Sequence, residues 1–281
     1  MKHRFITSVL ILFLLTPLFA QDWLELPSLP SDRGKTIVST QYMVQGGIII
    51  RSHTYRYDPT LRVSRWVAYP LNAGLIGQGS RGEGWHPYKS IGEDLQPSLQ
   101  RGFGHGTGYD RGHQIPSADR LDRDINAETF VFVNAAPQPH AFNETIWTDF
   151  EKLVRTWAKR SDTLYVVTGL IPGKETISDN AGKPVNIPTH FYKAVLRRNT
   201  DRYGRVHWSM CAACLPSWET TENNDKWEKK TSKIRFYSLS VERLEEITGE
   251  TFFPNLAAVI GKKEYLDLKR SAPKDTAWWW K

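Results

Sequence analysis

Residues 109 to 116 read Tyr109-Asp110-Arg111-Gly112-His113-Gln114-Ile115-Pro116, a run that places an acid, a cation and an imidazole within four positions. Three glycines lead into it at positions 104, 106 and 108, and glycine permits turns that other residues avoid. The imidazole changes charge close to neutral pH, which suits a group that accepts and donates protons. The run therefore predicts a reactive site at the end of a glycine-rich loop.

A second polar run begins thirty residues after His113 and reads Asn143-Glu144-Thr145-Ile146-Trp147-Thr148-Asp149-Phe150-Glu151. In an α-helix, Asn143, Trp147 and Glu151 follow one another along one side, because they are spaced four residues apart. Eight residues rise roughly 12 Å, although helical side chains lean toward the N-terminus and bring Glu151 closer to Asn143. We expect Asn143 to bind a metal ion directly, Glu151 to act through a bound water, and Trp147 to pack.

The amide oxygen of Asn143 with several waters suits Mg²⁺, a hard cation that takes few protein ligands, whereas zinc requires more nitrogen or sulfur. Mn²⁺ or Ca²⁺ fits the same ligands. Beside such an ion, a neutral His113 can take a proton from water, while Arg111 and the metal neutralise charge on a phosphate. The expected chemistry is hydrolysis of a phosphodiester.

These residues resemble the DNA/RNA non-specific endonuclease family, the sugar-non-specific nucleases built on a ββα-metal core. The resemblance covers about residues 50 to 257 and is most specific between about 107 and 153. The segments that carry it occur in order: Asp110-Arg111-Gly112-His113, then Asn134-Ala135-Ala136-Pro137-Gln138, then Asn143, Trp147 and Glu151.

The resemblance implies a role for each of four residues. His113 is the general base, Asn143 the direct Mg²⁺ ligand, Glu151 a catalytic residue that reaches the metal through water, and Arg111 a phosphate contact. The same resemblance implies a mixed α/β fold in which the histidine ends a strand and the asparagine opens a helix that crosses beneath it.

Three further polar residues near the site are assigned supporting roles. Asp110 fits a turn-former, a metal ligand or a partner that orients a neighbour; we interpret it as structural support, paired with Arg111. Asn134 and Gln138 frame the turn before the helix, and we expect them to bond that turn's backbone rather than the substrate.

The strand-like runs of the remaining chain predict a central antiparallel sheet. With the ββα-metal active-site core that the resemblance implies, the expected fold class is α+β, a central antiparallel sheet with flanking helices. A long loop is expected at 72–108, with Arg81, His86, Lys89, Arg101 and His105 as basic residues, and a further excursion at 172–188. A short helix is predicted at 241–248. The predicted strands are 37–44, 47–52, 62–71, 129–134, 164–169 with 191–197 as its partner, and 235–241.

The domain organisation is predicted as a signal peptide at 1–20, an N-terminal leader and first strand at 21–49, an endonuclease domain at 50–257 and a C-terminal tail at 258–281. Lys2 and Arg4 precede an apolar run from Val9 to Leu15, which is typical of a secretory leader and short of the roughly 20 residues of a membrane span. An uncleaved anchor is the alternative. We expect a secreted or periplasmic protein without stable membrane association after cleavage.

The size and charge of the chain are compatible with this interpretation. A content of 40 % hydrophobic residues, including 11 tryptophans, is sufficient for one large core. Removing the leader leaves 35 basic against 30 acidic residues, so the net charge falls from +7 to +5. A positive protein is attracted to DNA and RNA, although exported proteins of other kinds are also basic. The sequence predicts no oligomeric state.

Cys211 and Cys214 are the two cysteines of the chain. In an exported protein, a local disulfide between them is expected. A redox-active pair would require a thioredoxin-like setting, and a zinc site would require two more ligands, of which His207 could supply one.

The predicted function is an exported metal-dependent endonuclease that hydrolyses DNA and RNA with little sequence preference, because phosphate contacts carry no sequence information. Two alternatives remain. One is a phosphodiesterase for small nucleotides or other phosphate esters, and the other is a non-catalytic nucleic-acid-binding protein. The loop at 72–108 separates the first two, according to whether it leaves an open groove or closes a pocket.

Overall fold

The computed structural model describes residues 23–29, 35–104, 106–273 and 278–280, so the predicted signal peptide at 1–20 lies outside the described residues. The strands are β1 (Ile37–Gln45), β2 (Ile48–Asp58), β3 (Val63–Leu71), β4 (Tyr109–His113), β5 (Ala135–Pro139), β6 (Thr163–Ser178), β7 (Pro184–Thr200), β8 (Val206–Pro216) and β9 (Ser238–Leu239). The helices are α1 (Ala73–Ile76), α2 (Arg123–Ala127), α3 (His140–Phe142), α4 (Thr148–Lys159), α5 (Trp227–Phe236), α6 (Val241–Thr248), α7 (Leu256–Ile260) and α8 (Lys262–Arg270).

The predicted α+β architecture is confirmed. Seven strands form one antiparallel sheet in the order β1-β2-β3-β6-β7-β8-β9, and β4 pairs with β5 in a separate two-stranded sheet. The central pair β6–β7 has the predicted partners, since Leu164 lies opposite Arg197 and Gly169 opposite Tyr192. β1 belongs to this sheet, which therefore begins before residue 50.

Side chains on β7 alternate between two hydrophobic cores, one on each face of the large sheet. Phe191 and Val195 join the core that contains Trp147 and the buried side of α4, whereas Tyr192 and Leu196 join the core beneath α6, α7 and α8. This is the two-residue period of a strand that is buried on both faces. The α4 side of the sheet carries the candidate site.

The buried segment at 129–134 is not a strand, contrary to the prediction. Residues 128–130 and 132–134 form two short 3₁₀ turns, and the strand follows them as β5. A short apolar run is compatible with any buried backbone, so the pattern Phe130-Val131-Phe132-Val133 did not fix the conformation. The chain is held in this shape by long-range bonds, including one from Ser64 Oγ to the carbonyl oxygen of Val133 at 2.7 Å.

Two other predicted segments also differ. The excursion at 172–188 is largely the end of the β6–β7 hairpin, with ladder irregularities near Pro172. The predicted strand at 235–241 is the end of α5 followed by the two-residue β9. The helix at 241–248 is confirmed: Ser240 Oγ accepts from the backbone N–H of Arg243 at its N-terminus, and Gly249 ends it at φ 72°.

Cys211 and Cys214 are both free thiols, so the predicted disulfide is wrong for this structure. Both lie on β8, where three residues span roughly 10 Å, beyond the about 7 Å between Cα atoms that a disulfide tolerates. They also lie on opposite faces of the sheet, with Cys211 in the α4-side core and Cys214 against the other.

The loop at 72–108 contains α1 and is otherwise irregular, as predicted. Its middle is fixed by the buried side chain of Gln96, which accepts from the N–H of Tyr88 at 2.7 Å and donates to the carbonyl oxygens of Tyr88 and Ile91. Arg62 also donates to the carbonyl of Asp94 and to Asp179, which attaches the loop to the β6–β7 hairpin. The loop therefore presents a defined wall to the site.

The tryptophans near the C-terminus pack onto the end of α4. Trp279 is buried against Trp157, whose Nε1 donates to the Trp279 carbonyl at 2.7 Å, and the guanidinium of Arg197 lies 3.6 Å from the Trp278 ring centroid. Among the described residues, no helix combines the length and apolar content needed to cross a bilayer.

Candidate active site

The site is built on a strand–strand–helix unit. β4 and β5 pair with Gly112 opposite Ala136 and Asp110 opposite Gln138. β5 leads directly into a helical run composed of α3, a π-helical segment Asn143–Trp147, and α4. Alternation along β4 places Arg111 and His113 on one side of the strand, where both line a cavity of about 330 Å³.

Close contact between Gly112 and Gln138 holds the two strands together at this point. A Cβ built on Gly112 would lie 2.1 Å from Cδ of Gln138, so any side chain at this position would force Gln138 to move. Gln138 is fully buried, and its amide nitrogen and oxygen have no hydrogen-bond partner within the described part of the chain. Gln138 therefore acts here through packing, and not through the turn bonds predicted for it.

Asn134 bonds the backbone around the site. Its Oδ1 accepts from the N–H of Ile115 at 3.0 Å, and its Nδ2 donates to the carbonyl oxygens of Ile115 and Thr129 at 2.9 and 2.8 Å. Asn134 is fully buried, and buried backbone groups need hydrogen-bond partners. Its side chain supplies partners for the backbone groups of Ile115 and Thr129. It fixes the chain after His113 to the chain before β5.

His113 lies against two aromatic rings, with its ring centroid 4.6 Å from that of Trp85 and 4.9 Å from that of Phe130. Burial, with the charges of Arg81 and Arg111, lowers the pKa of His113 to about 3. Its Nε2 is buried and has no hydrogen-bond partner among the described residues. The imidazole is therefore neutral at physiological pH, the form that accepts a proton.

Arg111 is positioned by the loop. Its Nη1 donates to the carbonyl oxygens of Leu99 and Gln100 at 2.8 and 3.0 Å, and its guanidinium carbon lies 5.4 Å from the Trp85 ring centroid. Burial lowers the pKa of Arg111, but an arginine remains charged at neutral pH. The cation is thus held at the cavity wall.

Asp110 pairs with Asn143 and His140, and not with Arg111 as predicted. Its Oδ2 accepts from Asn143 Nδ2 at 3.0 Å and lies 3.0 Å from His140 Nδ1. Successive strand residues point in opposite directions, so Asp110 forms no ion-pair contact with Arg111 in the described structure, although its charge still acts on the guanidinium. An ionised carboxylate can only accept, so it fixes the amide nitrogen of Asn143 toward itself and leaves the amide oxygen for another partner.

Glu151 is half-buried and interacts with the buried charges of Lys193 and Asp119 and with Arg155. Burial raises the pKa of Glu151 above its usual value, and the positive charges of Lys193 and Arg155 oppose this. Arg155 donates to Asp119 Oδ1 at 2.9 Å, and Lys193 Nζ donates to Thr168 Oγ1 at 2.7 Å. Glu151 is absent from the described cavity lining, which does contain Asn143.

The π-helical segment changes the relation between Asn143 and Glu151. In a regular α-helix, eight residues turn about 80° beyond two full turns. The wider i→i+5 bonding of a π-helix underwinds the chain, which brings Glu151 back toward alignment with Asn143. Trp147 closes this segment and is buried against Phe142 and Phe191, as the packing prediction required.

Several site residues were not identified from the sequence. The ring of Trp85 packs against that of His113, and no local sequence pattern predicted this contact. Lys193 did carry a signal, since a lysine inside an apolar strand needs a buried counter-charge. Of the basic loop residues, Arg81 and Arg101 line the cavity, His86 and Lys89 are absent from the described lining, and His105 lies outside the described residues.

One cavity thus brings together a neutral histidine on a ββα unit, an oriented asparagine and three arginines, Arg81, Arg101 and Arg111. Residues 33–259 match the family model described as DNA/RNA non-specific endonuclease, and the chain belongs to that family. The match starts earlier than the predicted boundary at residue 50 and takes in β1.

Known nucleases resemble the chain over most of its length. A nuclease of Nostoc sp. is 28 % identical over 222 residues, which is 75 % of this chain and 74 % of that protein. Mitochondrial endonuclease G of Bos taurus is 27 % identical over 222 residues, 75 % of this chain and 70 % of that protein. The crystal structure of the EndoG/EndoGI complex aligns with a TM-score of 0.56 and 24 % identity, covering 76 % of this chain and 86 % of that chain. The fold is thus that of endonuclease G.

Proposed function

We propose that this protein is an exported, Mg²⁺-dependent endonuclease that hydrolyses DNA and RNA with little sequence preference, using His113 as general base. One observation supports the proposal most strongly: His113 and Asn143 line the same cavity. His113 is neutral there, and Asp110 orients the amide of Asn143. Membership of the nuclease family supports the reaction class.

A hard divalent cation fits the residues present. Asn143 donates to Asp110 through Nδ2, so its Oδ1 takes no part in that hydrogen bond. Oδ1 is therefore the atom that would bind the metal, because Mg²⁺ prefers oxygen ligands. Asn143 would hold the metal, with Glu151 reaching it through water; Mn²⁺ and Ca²⁺ suit the same ligands. When bound, the metal supplies positive charge that stabilises the charge developing on the phosphate.

The protein's own side chains carry out the proton transfer and the neutralisation of phosphate charge. His113 is uncharged at neutral pH and takes a proton from the attacking water. Arg111, with Arg81 and Arg101 on the same cavity wall, neutralises the phosphate oxygens. Contacts of this kind address the phosphate backbone, which DNA and RNA share, so little sequence preference is expected.

Export is proposed from the sequence of residues 1–20. Lys2 and Arg4 followed by the apolar run Val9 to Leu15 support a secretory leader. Expression of the full chain in a bacterium, followed by N-terminal sequencing of the exported protein, tests this. A mature N-terminus near Gln21 is expected, and a protein that retains Met1 in the membrane fraction contradicts it.

The substrate and the metal can be tested together. Purified protein is incubated with supercoiled plasmid, structured RNA or a dinucleotide, each with Mg²⁺, Mn²⁺, Ca²⁺ or chelator. The proposal predicts metal-dependent cleavage of both polymers, loss of activity in Asn143→Ala, and retained activity in the control His86→Ala, which removes a histidine outside the described cavity lining. Cleavage of the dinucleotide alone, or of polymers equally well in chelator, contradicts it.

A further inference from the structure

Three side chains at the rim of the cavity lie close together. Asp110 comes from β4, His140 from α3, and Glu144 from the next helical turn. Oδ2 of Asp110 lies 3.0 Å from Nδ1 of His140, whose Nε2 lies 4.0 Å from Oε2 of Glu144. One nitrogen or oxygen atom from each residue lies within 4.8 Å of the others, close enough to surround one ion.

The ligand set is unlike that of the Asn143 site. An imidazole with two carboxylates suits a borderline cation such as Zn²⁺, which binds three protein ligands and keeps a position open for water. Mg²⁺ prefers oxygen ligands and retains its waters. The two sites therefore select different metals, even though they are separated by a single hydrogen bond.

The charges at the rim favour a cation. Among the described residues, the ion-pair contacts of Asp110 and Glu144 are with His140. Two carboxylates therefore share one imidazole at the rim, and the Arg111 guanidinium also interacts with Asp110. The side chains of His140 and Glu144 are 63 % and 64 % exposed, so an ion can reach them from solvent.

We propose that Asp110, His140 and Glu144 form a second metal site that binds Zn²⁺ or a similar transition-metal ion and inhibits the enzyme when occupied. The same Oδ2 of Asp110 that meets His140 accepts the bond that orients Asn143. A cation on this carboxylate competes with the amide nitrogen for its lone pairs, and releases Asn143 from its fixed orientation. Occupancy also draws in Glu144, which lines the catalytic cavity.

The binding step is independent of the proposed function, whereas the inhibition rests on it. Direct binding is measured by calorimetric titration of Zn²⁺ into metal-free full-length protein, without Mg²⁺ or substrate. Wild type is compared with His140→Gln and with His207→Gln. His207 is a matched control, because it is exposed and lies 3.0 Å from one carboxylate, that of Asp201.

Wild type and His207→Gln are expected to bind one Zn²⁺ with equal affinity, and His140→Gln to bind it about tenfold or more weakly, because even the loss of a residue that only orients a metal ligand costs about 10- to 100-fold. Equal affinity in His140→Gln, or no stoichiometric binding in wild type, overturns the site. Circular dichroism of each variant shows that it is folded.

The inhibitory role is tested by adding Zn²⁺ to plasmid cleavage in excess Mg²⁺, with each variant scaled to its own zinc-free rate. The Zn²⁺ concentration for half inhibition should be about tenfold higher in His140→Gln than in the other two proteins, matching the affinities. Equal inhibition of all three overturns the role. If wild type binds Zn²⁺ but cuts neither DNA nor RNA in Mg²⁺, the proposed function fails while the metal site stands.

Discussion

The amide nitrogen of Asn143 lies 3.0 Å from Oδ2 of Asp110, and this contact orients the residue expected to hold the metal. Asp110→Asn replaces an acceptor-only carboxylate with an amide that can donate, so the orientation of Asn143 is no longer fixed. Cleavage should fall by about 10- to 100-fold, as for other residues that orient a metal ligand. Because the defect concerns the metal, the Mg²⁺ concentration for half-maximal rate should rise.

The measurement is the plasmid cleavage rate across a Mg²⁺ titration. Asp267→Asn is the control, since it removes a carboxylate from the surface of α8. An Asp110→Asn protein with the Mg²⁺ dependence of wild type contradicts the orienting role.

Acid should destabilise the protein partly through His113. Burial lowers its folded pKa to about 3, below the unfolded value of about 6.5. The unfolded chain therefore takes up the proton first as the pH falls below about 6.5, and stability declines from there toward about pH 3. By pH 5 the contribution is about 1 to 2 kcal/mol.

His113→Gln removes this titration and leaves that of the buried His53, whose pKa burial also lowers. Urea unfolding at pH 7.5 and pH 5 measures the free energy of unfolding of both proteins. Between pH 7.5 and pH 5, the free energy of unfolding of the wild type should fall by about 1 to 2 kcal/mol more than that of the variant. An equal loss shows that His113 is not held neutral in the folded state.

Lys193 is expected to favour the ionised form of Glu151, whose pKa burial raises to about 7. Its side chain is fully buried on β7, and its charge opposes the effect of burial, which raises the pKa of Glu151. Lys193→Met removes that charge, so more of the carboxyl group is protonated at neutral pH and ionises again in alkali. Activity relative to wild type should be about three- to tenfold lower at pH 7 than at pH 9.

Lys152→Met serves as the control, because Lys152 lies on α4 with its side chain 56 % exposed. Plasmid cleavage is measured from pH 6 to pH 9 in saturating Mg²⁺, with thermal unfolding as a check on folding. A Lys193→Met activity that is reduced by the same factor at every pH indicates a packing role alone.

The contact between Gly112 and Gln138 predicts a rescue. Gly112→Ala places a Cβ 2.1 Å from Cδ of Gln138 and should destabilise the protein by about 1 to 3 kcal/mol, as overpacking does. Gln138→Ala removes the colliding atoms. The double variant should therefore be more stable than the sum of the two single effects, which urea unfolding of all four proteins measures. Additive effects contradict the contact.

The parts of the fold that the sequence predicted are those with clear local signals. The apolar runs at 164–169 and 191–197 predicted the central strand pair, and the short helix predicted at 241–248 is α6. The spacing of Asn143 and Glu151 placed them on one helical run. Each of these depends on neighbours in sequence.

The predictions are wrong where contacts between residues far apart in sequence determine the local conformation or the pairing of a side chain. Residues 129–134 are buried as expected, but bonds to Ser64 and Ile115 make them turns. Asp110 was paired with its neighbour Arg111, although strand alternation directs it to Asn143. The spacing of Cys211 and Cys214 fits a local bridge in a turn, and it is the extended strand that excludes one.

The general-base role of His113 is the central claim, and plasmid nicking by His113→Gly in Mg²⁺ tests it most directly. The variant should cut at least about 100-fold more slowly than wild type, and added imidazole should restore part of the rate, since it can occupy the space that the side chain leaves. A folded His113→Gly protein that nicks plasmid at nearly the wild-type rate would contradict the account.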